Sequence, residues 1–203
     1  MMERKNESFL IFEVNQNLVE KEQEKLKRFF EHYLPADFKP KSVMDFACGI
    51  ANEEPVLREL YGDDIEIISF DSSPSMVETA KSLGRKSTIQ SNTYDIFKKI
   101  KDKKFDLILG RNIPINPNRK SDDDYPDPWP DFLENIKKSM LPKSYLLTTF
   151  VREDEYMKAL NLLSENNFNI IIQEKDVIVI PSDKIGIVGA ETKDDYVVIS
   201  QLK

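Results

Sequence analysis

Cysteine is almost missing from this chain: Cys48 stands alone among 203 residues. One thiol excludes an internal disulfide framework and a cysteine zinc cluster, and it suits a reducing compartment. Long apolar runs are missing as well. No window approaches the roughly 20 apolar residues of a membrane helix, and Met1-Met2-Glu3-Arg4-Lys5 leads into no signal-peptide core. A soluble, cytoplasmic protein with no membrane partner is expected. Basic excess is the third absence. Twenty-nine Lys and Arg against 36 Asp and Glu leave a net charge of −7, and the pI is near 5.0. That excludes a protein whose main task is coating phosphate backbone, and nucleic acid is not expected as a partner. What is present is enough for one buried core: 40% apolar residues with 32% charged. The length fits one domain with a small cap.

The spacing of Leu18, Glu22, Leu26, Phe29, Phe30 and Tyr33 predicts an amphipathic helix from Asn15 or Asn17 to Tyr33, closed by Pro35. Its stripe Leu26, Phe29, Phe30, Tyr33 reads as core. From Lys41 short apolar runs alternate with helical patterns. Strands are expected at 42–46, 65–70, 87–90, 105–109 and 144–150. Helices are expected at 52–61, after Ser73-Pro74, and at 153–166. Such alternation predicts an α/β fold, a doubly wound, mostly parallel sheet covered on both faces. The stretches 168–180, 185–188 and 196–202 are β-rich with no helical pattern between them, so the sheet should finish with antiparallel strands. Residues 1–40 form an N-terminal helical cap in this reading, and 41–203 the main domain. Gly110 to Pro130 carries five prolines after Gly110, too many for a regular helix or central strand, and reads as a functional loop.

The most informative segment is Val43-Met44-Asp45-Phe46-Ala47-Cys48-Gly49-Ile50-Ala51-Asn52-Glu53. A strand ends in an acid, a tight turn of small residues follows, and a helix begins. Small residues let a ligand approach the backbone, and the turn's N–H groups with the helix N-terminus can hold its polar groups. A second acid, Asp71, ends the next strand at the spacing of a ribose-binding carboxylate. A dinucleotide fingerprint asks for Gly-x-Gly-x-x-Gly. Here Ala51 and Glu54 stand where the second and third glycines belong, and Glu53 with Glu54 would repel a pyrophosphate. An adenosine ligand with a cationic centre and no phosphate fits better.

These residues resemble the class I, Rossmann-like S-adenosylmethionine-dependent methyltransferases, over a stretch from about Lys41 to the C-terminus. The family's first motif is an acid, three residues and Gly-x-Gly, and Asp45 to Ala51 is similar to it. The resemblance implies a seven-stranded sheet with the last strand inserted antiparallel, and S-adenosyl-L-methionine as cofactor. It implies that Asp45, Ala47, Cys48, Gly49 and Ala51 form the turn holding the cofactor's methionine end. Asp71 would bind the ribose, with Ser72 beside it and Met76 near the adenine. Asn92 and Thr93 would sit at the adenine edge, Asn92 replacing the usual acid. Arg111, Asn112 and Ile113, after the fourth strand, would face the amino-acid end and the transferring methyl. Two departures stand out: Ala47 and Ala51 replace small glycines, which is tolerable where the local φ is negative.

The acceptor is less legible. The asparagine-proline-proline-aromatic motif of amide and adenine amino methylators is absent, since Asn112 is followed by Ile113-Pro114-Ile115. No catalytic base and no metal site is evident. Asp122-Asp123-Asp124 lacks the spacing of a calcium loop, His32 reads as a surface residue, and Cys48 as a packing residue. A substrate surface built from the N-terminal segment and the proline-rich loop would use Phe12, Tyr33, Tyr125 and Trp129. Trp129 reads equally as core packing. The expected function is methyl transfer to a small molecule or a protein side chain. The rival readings are a non-catalytic binding or regulatory subunit of the same fold and an NAD(P)-dependent oxidoreductase.

Overall fold

A computed structural model of the chain describes residues 16–113, 115, 129–175 and 196–202. Helix α1 (Gln16–Tyr33) precedes β1 (Ser42–Phe46), α2 (Glu53–Tyr61), β2 (Glu66–Asp71), α3 (Pro74–Ser82), β3 (Thr88–Gln90), α4 (Ile96–Lys99) and β4 (Phe105–Gly110). Then come α5 (Trp129–Ser139), β5 (Met140–Phe150), α6 (Glu153–Glu165), β6 (Phe168–Lys175) and β7 (Tyr196–Leu202). All seven strands form one sheet in the order β3-β2-β1-β4-β5-β7-β6. The five strands β3 to β5 run parallel, and β7 lies antiparallel between β5 and β6. The chain order reverses direction from β1, so the carboxyl ends of β1 and β4 open a crevice where ligands bind in sheets of this kind.

Period-two alternation sorts the strand residues onto two cores. On one face Met44, Phe46, Phe70 and Ile108 pack with Trp129, Phe132 and Ile136 of α5 and Tyr156, Ala159 and Leu163 of α6. On the other, Val43, Ile67, Leu107 and Leu109 pack with Leu26, Phe29 and Phe30 of α1 and Val56 and Leu57 of α2. Because both faces are covered, the strands read as continuous apolar runs rather than alternating ones. The N-terminal helix therefore shares a core with the sheet. Gly110, at the end of β4, is set by packing: a Cβ there would meet the Phe46 ring at 2.5 Å.

Three local expectations need adjustment. Strand β5 begins at Met140, four residues before the expected Ser144, and its pairing with β4 is irregular between Phe105 and Leu107. Helix α4 has no helical sequence pattern. It follows a turn in which the Asn92 Oδ1 accepts from the N–H groups of Tyr94 at 3.0 Å and Asp95 at 2.9 Å. The proline-rich segment loses both ends to regular structure, Gly110 to β4 and Trp129-Pro130 to α5. Its remaining residues, apart from 111–113 and 115, and the strand expected at 185–188 lie outside the described residues, as do Phe12 and Tyr125.

Candidate active site

The turn after β1 is held by its neighbours on both sides. The Cys48 N–H donates to the Phe70 carbonyl at 3.1 Å, and the Ala51 N–H to the Cys48 carbonyl at 2.8 Å. Ala47, Gly49 and Ala51 have φ of 55°, 54° and 54°. Both alanines thus adopt the left-handed region, where an L-residue is strained by roughly 1–2 kcal/mol. The negative φ that would make them costless is not what the turn uses. The small size of Ala51 has a separate reason: with Cys48 it forms a buried cluster with Ala80 of α3, so α3 lies directly against the turn, whereas Ala47 is exposed. In front of Gly49 the space is open, with no atom within 4 Å of a Cβ built there.

Asp71 organises this rim. Its Oδ2 accepts from the Gly49 N–H at 2.9 Å and its Oδ1 from the Ser73 N–H at 2.8 Å. One carboxylate so ties the β1 turn to the start of α3, where Ser73 caps through its Oγ and Pro74 occupies the first turn. Each oxygen retains a second lone pair for a ligand. The Ser91 N–H donates to the Asp71 carbonyl at 3.0 Å, which brings the Asn92–Thr93 loop to the same rim. Asn92 spends its side-chain oxygen on that loop and donates through Nδ2 to Asp95 at 3.1 Å. Ser72 is adjacent to Asp71, and Met76 is an exposed apolar side chain on the first turn of α3.

Beneath the turn lies a set of buried charges. Asp45 is 1% exposed, and its Oδ2 has no hydrogen-bond partner. Burial is the main cause that pushes its carboxyl well above the ordinary carboxylate range. Glu53 and Asp71 add to the rise, while Arg111 and Ser69 oppose it. The Arg111 Nη1 donates to Glu53 Oε1 at 2.8 Å, with side-chain exposures of only 12% and 7%. Glu22 of α1 approaches the same nitrogen at 3.6 Å. Glu54 is held by Arg58 at 3.2 Å. Both glutamates that seemed to bar a pyrophosphate are thus paired with arginines, which weakens that exclusion. Burial also pushes the Cys48 thiol up, reinforced by Asp45, Glu53 and Asp71. A thiolate nucleophile is disfavoured there.

At the end of β4, Asn112 takes a φ of 52°. Its N–H donates to Thr149 Oγ1 at 2.9 Å, and its buried Oδ1 has no hydrogen-bond partner. The Ile113 N–H donates to the Thr149 carbonyl at 3.1 Å, and the Ile113 side chain belongs to the α5-side core. Two aromatic candidates for the substrate surface sit in the cores. Tyr33 is 4% exposed and its hydroxyl donates to Glu174 of β6 at 2.8 Å. Trp129 packs on Phe132 and Phe46, with ring centroids 5.4 and 6.2 Å apart. Sequence reasoning passed over Glu22 and Thr149, and it treated Glu53 only as a repulsive charge. Nothing in the sequence pattern marks Thr149, because its role comes from the β4–β5 register.

Sheet order and the inserted antiparallel strand together define a Rossmann-like fold, with an open crevice at the carboxyl ends of β1 and β4. Residues 37–196 match the sequence profile of the family described as "Methyltransferase domain". The chain belongs to that family and is a class I S-adenosylmethionine-dependent methyltransferase, with S-adenosylmethionine as its cofactor. Among solved structures it is similar to a SAM dependent methyltransferase from Aquifex aeolicus, with a TM-score of 0.60, 16% identity, and coverage of 97% of this chain and 99% of that one. It is also similar to the plantazolicin methyltransferase BpumL in complex with SAH, with a TM-score of 0.61, 11% identity, and coverage of 98% and 90%. A third similarity is to a ribosomal protein L11 methylase from Lactobacillus delbrueckii subsp. bulgaricus, at 0.59, 16% identity, and coverage of 90% and 79%. At these identities the likeness speaks for the fold. No curated protein matches the sequence.

The rim suits this cofactor on observations of its own. Gly49 leaves the space above the turn open. Asp45 and Asn112 hold buried oxygens with no hydrogen-bond partner that can accept from an ammonium group. Asp45, Glu53 and Asp71 outnumber the guanidinium groups of Arg111 and Arg85 that face them, which suits a ligand of net positive charge. No described helix is long and apolar enough to cross a membrane.

Proposed function

We propose that the enzyme methylates a nucleophilic atom of a small molecule or a protein side chain, in line with the cofactor's sulfur–methyl bond. The observation that carries this reading is the acidic balance of the chain. Thirty-six Asp and Glu against 29 Lys and Arg leave a net charge of −7, with Asp71 at the rim itself, and a polyphosphate backbone approaching such a molecule would be repelled.

In this reading Asp71 grips the ribose hydroxyls through its remaining lone pairs, with Ser72 beside it. The exposed Met76 and the Asn92–Thr93 loop border the adenine. The turn Asp45, Ala47, Cys48, Gly49, Ala51 lies under the methionyl end. Arg111, oriented by Glu53, faces its carboxylate, and the Asn112 oxygen and the Ile113 backbone border the reacting methyl. When bound, the cofactor supplies a methyl carbon already activated by a positive sulfur, so the protein's part is alignment and exclusion of water. No residue is assigned as a general base. Residues 1–40 act as a helical cap on a domain spanning 41–203, and the expected location is the cytoplasm.

Two measurements test this reading. Calorimetry should show one S-adenosylmethionine site per chain, whereas no heat at millimolar cofactor would favour a non-catalytic subunit. Transfer of labelled methyl from the cofactor should then reach fractions of small amines, phenols and peptides, and not RNA or DNA. Labelling confined to nucleic acid would overturn the proposed substrate class.

A further inference from the structure

The cations beneath the turn serve Glu53 before Asp45. Asp45 and Glu53 lie together with Arg111, Arg111 gives its short bond to Glu53, and Arg85 faces Glu53 as well. Asp45 keeps an oxygen with no hydrogen-bond partner at 1% exposure. Every group facing it is accounted for by its element: Ser69 and Asp71 from β2, Glu53 from α2, Arg111 from the end of β4, and the Cys48 thiol from the turn. Asn52, 7% exposed at the same turn, has a second oxygen with no hydrogen-bond partner. In such surroundings a carboxyl carries its proton, because an isolated buried carboxylate is costly to ionise.

Resting on the proposed placement of the cofactor, we propose that Asp45 is protonated in the unliganded enzyme and surrenders that proton when the cationic methionyl end binds. The O–H bond of the Asp45 carboxyl breaks, the proton passes to the buffer, and the carboxylate left behind balances the incoming positive charge. Cofactor binding is thereby linked to pH through a residue that closes the site's charge balance. Proton release on binding means that affinity rises with pH below the point where Asp45 would ionise in the empty pocket.

The test is calorimetric titration of S-adenosylmethionine near pH 6 in two buffers of different ionisation enthalpy. At about pH 6 the cofactor's own amino group is already protonated, its ordinary range being about 7.7–8.0, so it contributes no proton uptake. The wild type should release protons on binding, and its Kd should fall as pH rises above the ordinary carboxylate range, by at most about tenfold per pH unit. Asp45→Asn keeps the shape and removes the titration. It should still bind, with heats equal in the two buffers and a flat Kd across the same pH range. Binding by the wild type without proton release, or with the same release from Asp45→Asn, overturns the linkage and leaves the site assignment standing. Absence of binding by a folded wild type overturns the site assignment itself.

Discussion

The body of the sheet and its rim at the strand carboxyl ends obey different rules. In the body, side-chain shape and hydropathy agree with the backbone: Met44, Phe46, Ile108 and Phe132 are all buried among apolar neighbours. At the rim, three turn residues and Asn112 sit at left-handed φ. Among the described residues, the buried carboxylate and amide oxygens without a hydrogen-bond partner are those of Asp45, Asn52, Glu54 and Asn112, near the same crevice. Left-handed residues also occur away from the rim, at Asp102, Lys143 and Asn167, and unmet hydroxyls within the sheet, but the unmet carboxylate and amide oxygens lie where a ligand would be received. The difference separates what folds the chain from what the fold is for.

Breaking the body should have the largest effect. Phe132 touches Phe46 at a centroid distance of 5.0 Å and Trp129 at 5.4 Å. Phe132→Ala should cost about 3–5 kcal/mol of stability, read by urea denaturation, with cofactor affinity of the remaining folded protein little changed. Breaking the rim should invert that pattern. Asp71→Ala removes the acceptor for Gly49 and Ser73 together with the proposed ribose contact. Cofactor affinity should fall by about 1.5–3 kcal/mol for each charge-assisted bond lost. Unchanged calorimetric affinity in that variant would place the ribose elsewhere.

Asp45→Asn sharpens the contrast, because a rim substitution should stabilise. The folded chain keeps a proton on Asp45 that the unfolded chain gives up above the ordinary carboxylate range, so the folded state binds more protons. Stability is therefore lost as pH rises from that range toward the titration point of the buried group. The asparagine variant lacks this loss, so its Tm advantage over wild type should be greater at pH 7 than at about pH 4.5. A Tm advantage independent of pH would mean that Asp45 is charged in the folded state. The smallest effect concerns the exposed Ala47. Ala47→Gly relieves the left-handed strain of roughly 1–2 kcal/mol and adds unfolded-state entropy worth about 0.4–1 kcal/mol, so a net gain of about 0–1.6 kcal/mol is expected by denaturation. A loss of stability would show that the methyl group packs usefully.

The same division explains what the sequence revealed. The body was legible because period and hydropathy carry it. The strands at 42–46, 105–110 and 196–202 and the helices α2 and α6 stand within a residue or so of their expected places, apolar runs and caps being local signals. The start of β5 was missed because Pro142 and the left-handed Lys143 interrupt a strand that register with β4 nonetheless extends. At the rim, the acid at the end of β1, the turn and Asp71 were visible as residue types at fixed spacing. What they bond was not. The Arg111–Glu53 pair, the hold of Asp71 on Gly49 and the Thr149 support of Asn112 each join segments 22 to 58 residues apart. Only the topology brings them together. Tyr33 reads from the sequence both as part of a core stripe and as a substrate wall; it packs in the core at 4% exposure, and its hydroxyl reaches out to Glu174 on a distant strand.

The placement of the cofactor across the carboxyl ends of β1, β2 and β4 is tested most directly by a crystal structure of the enzyme with S-adenosylhomocysteine. Electron density for the adenosine should lie over the Gly49 turn, with both ribose hydroxyls in hydrogen-bond reach of Asp71. Nucleoside density anywhere else on the molecule, with the crevice above Gly49 closed by side chains, would contradict it.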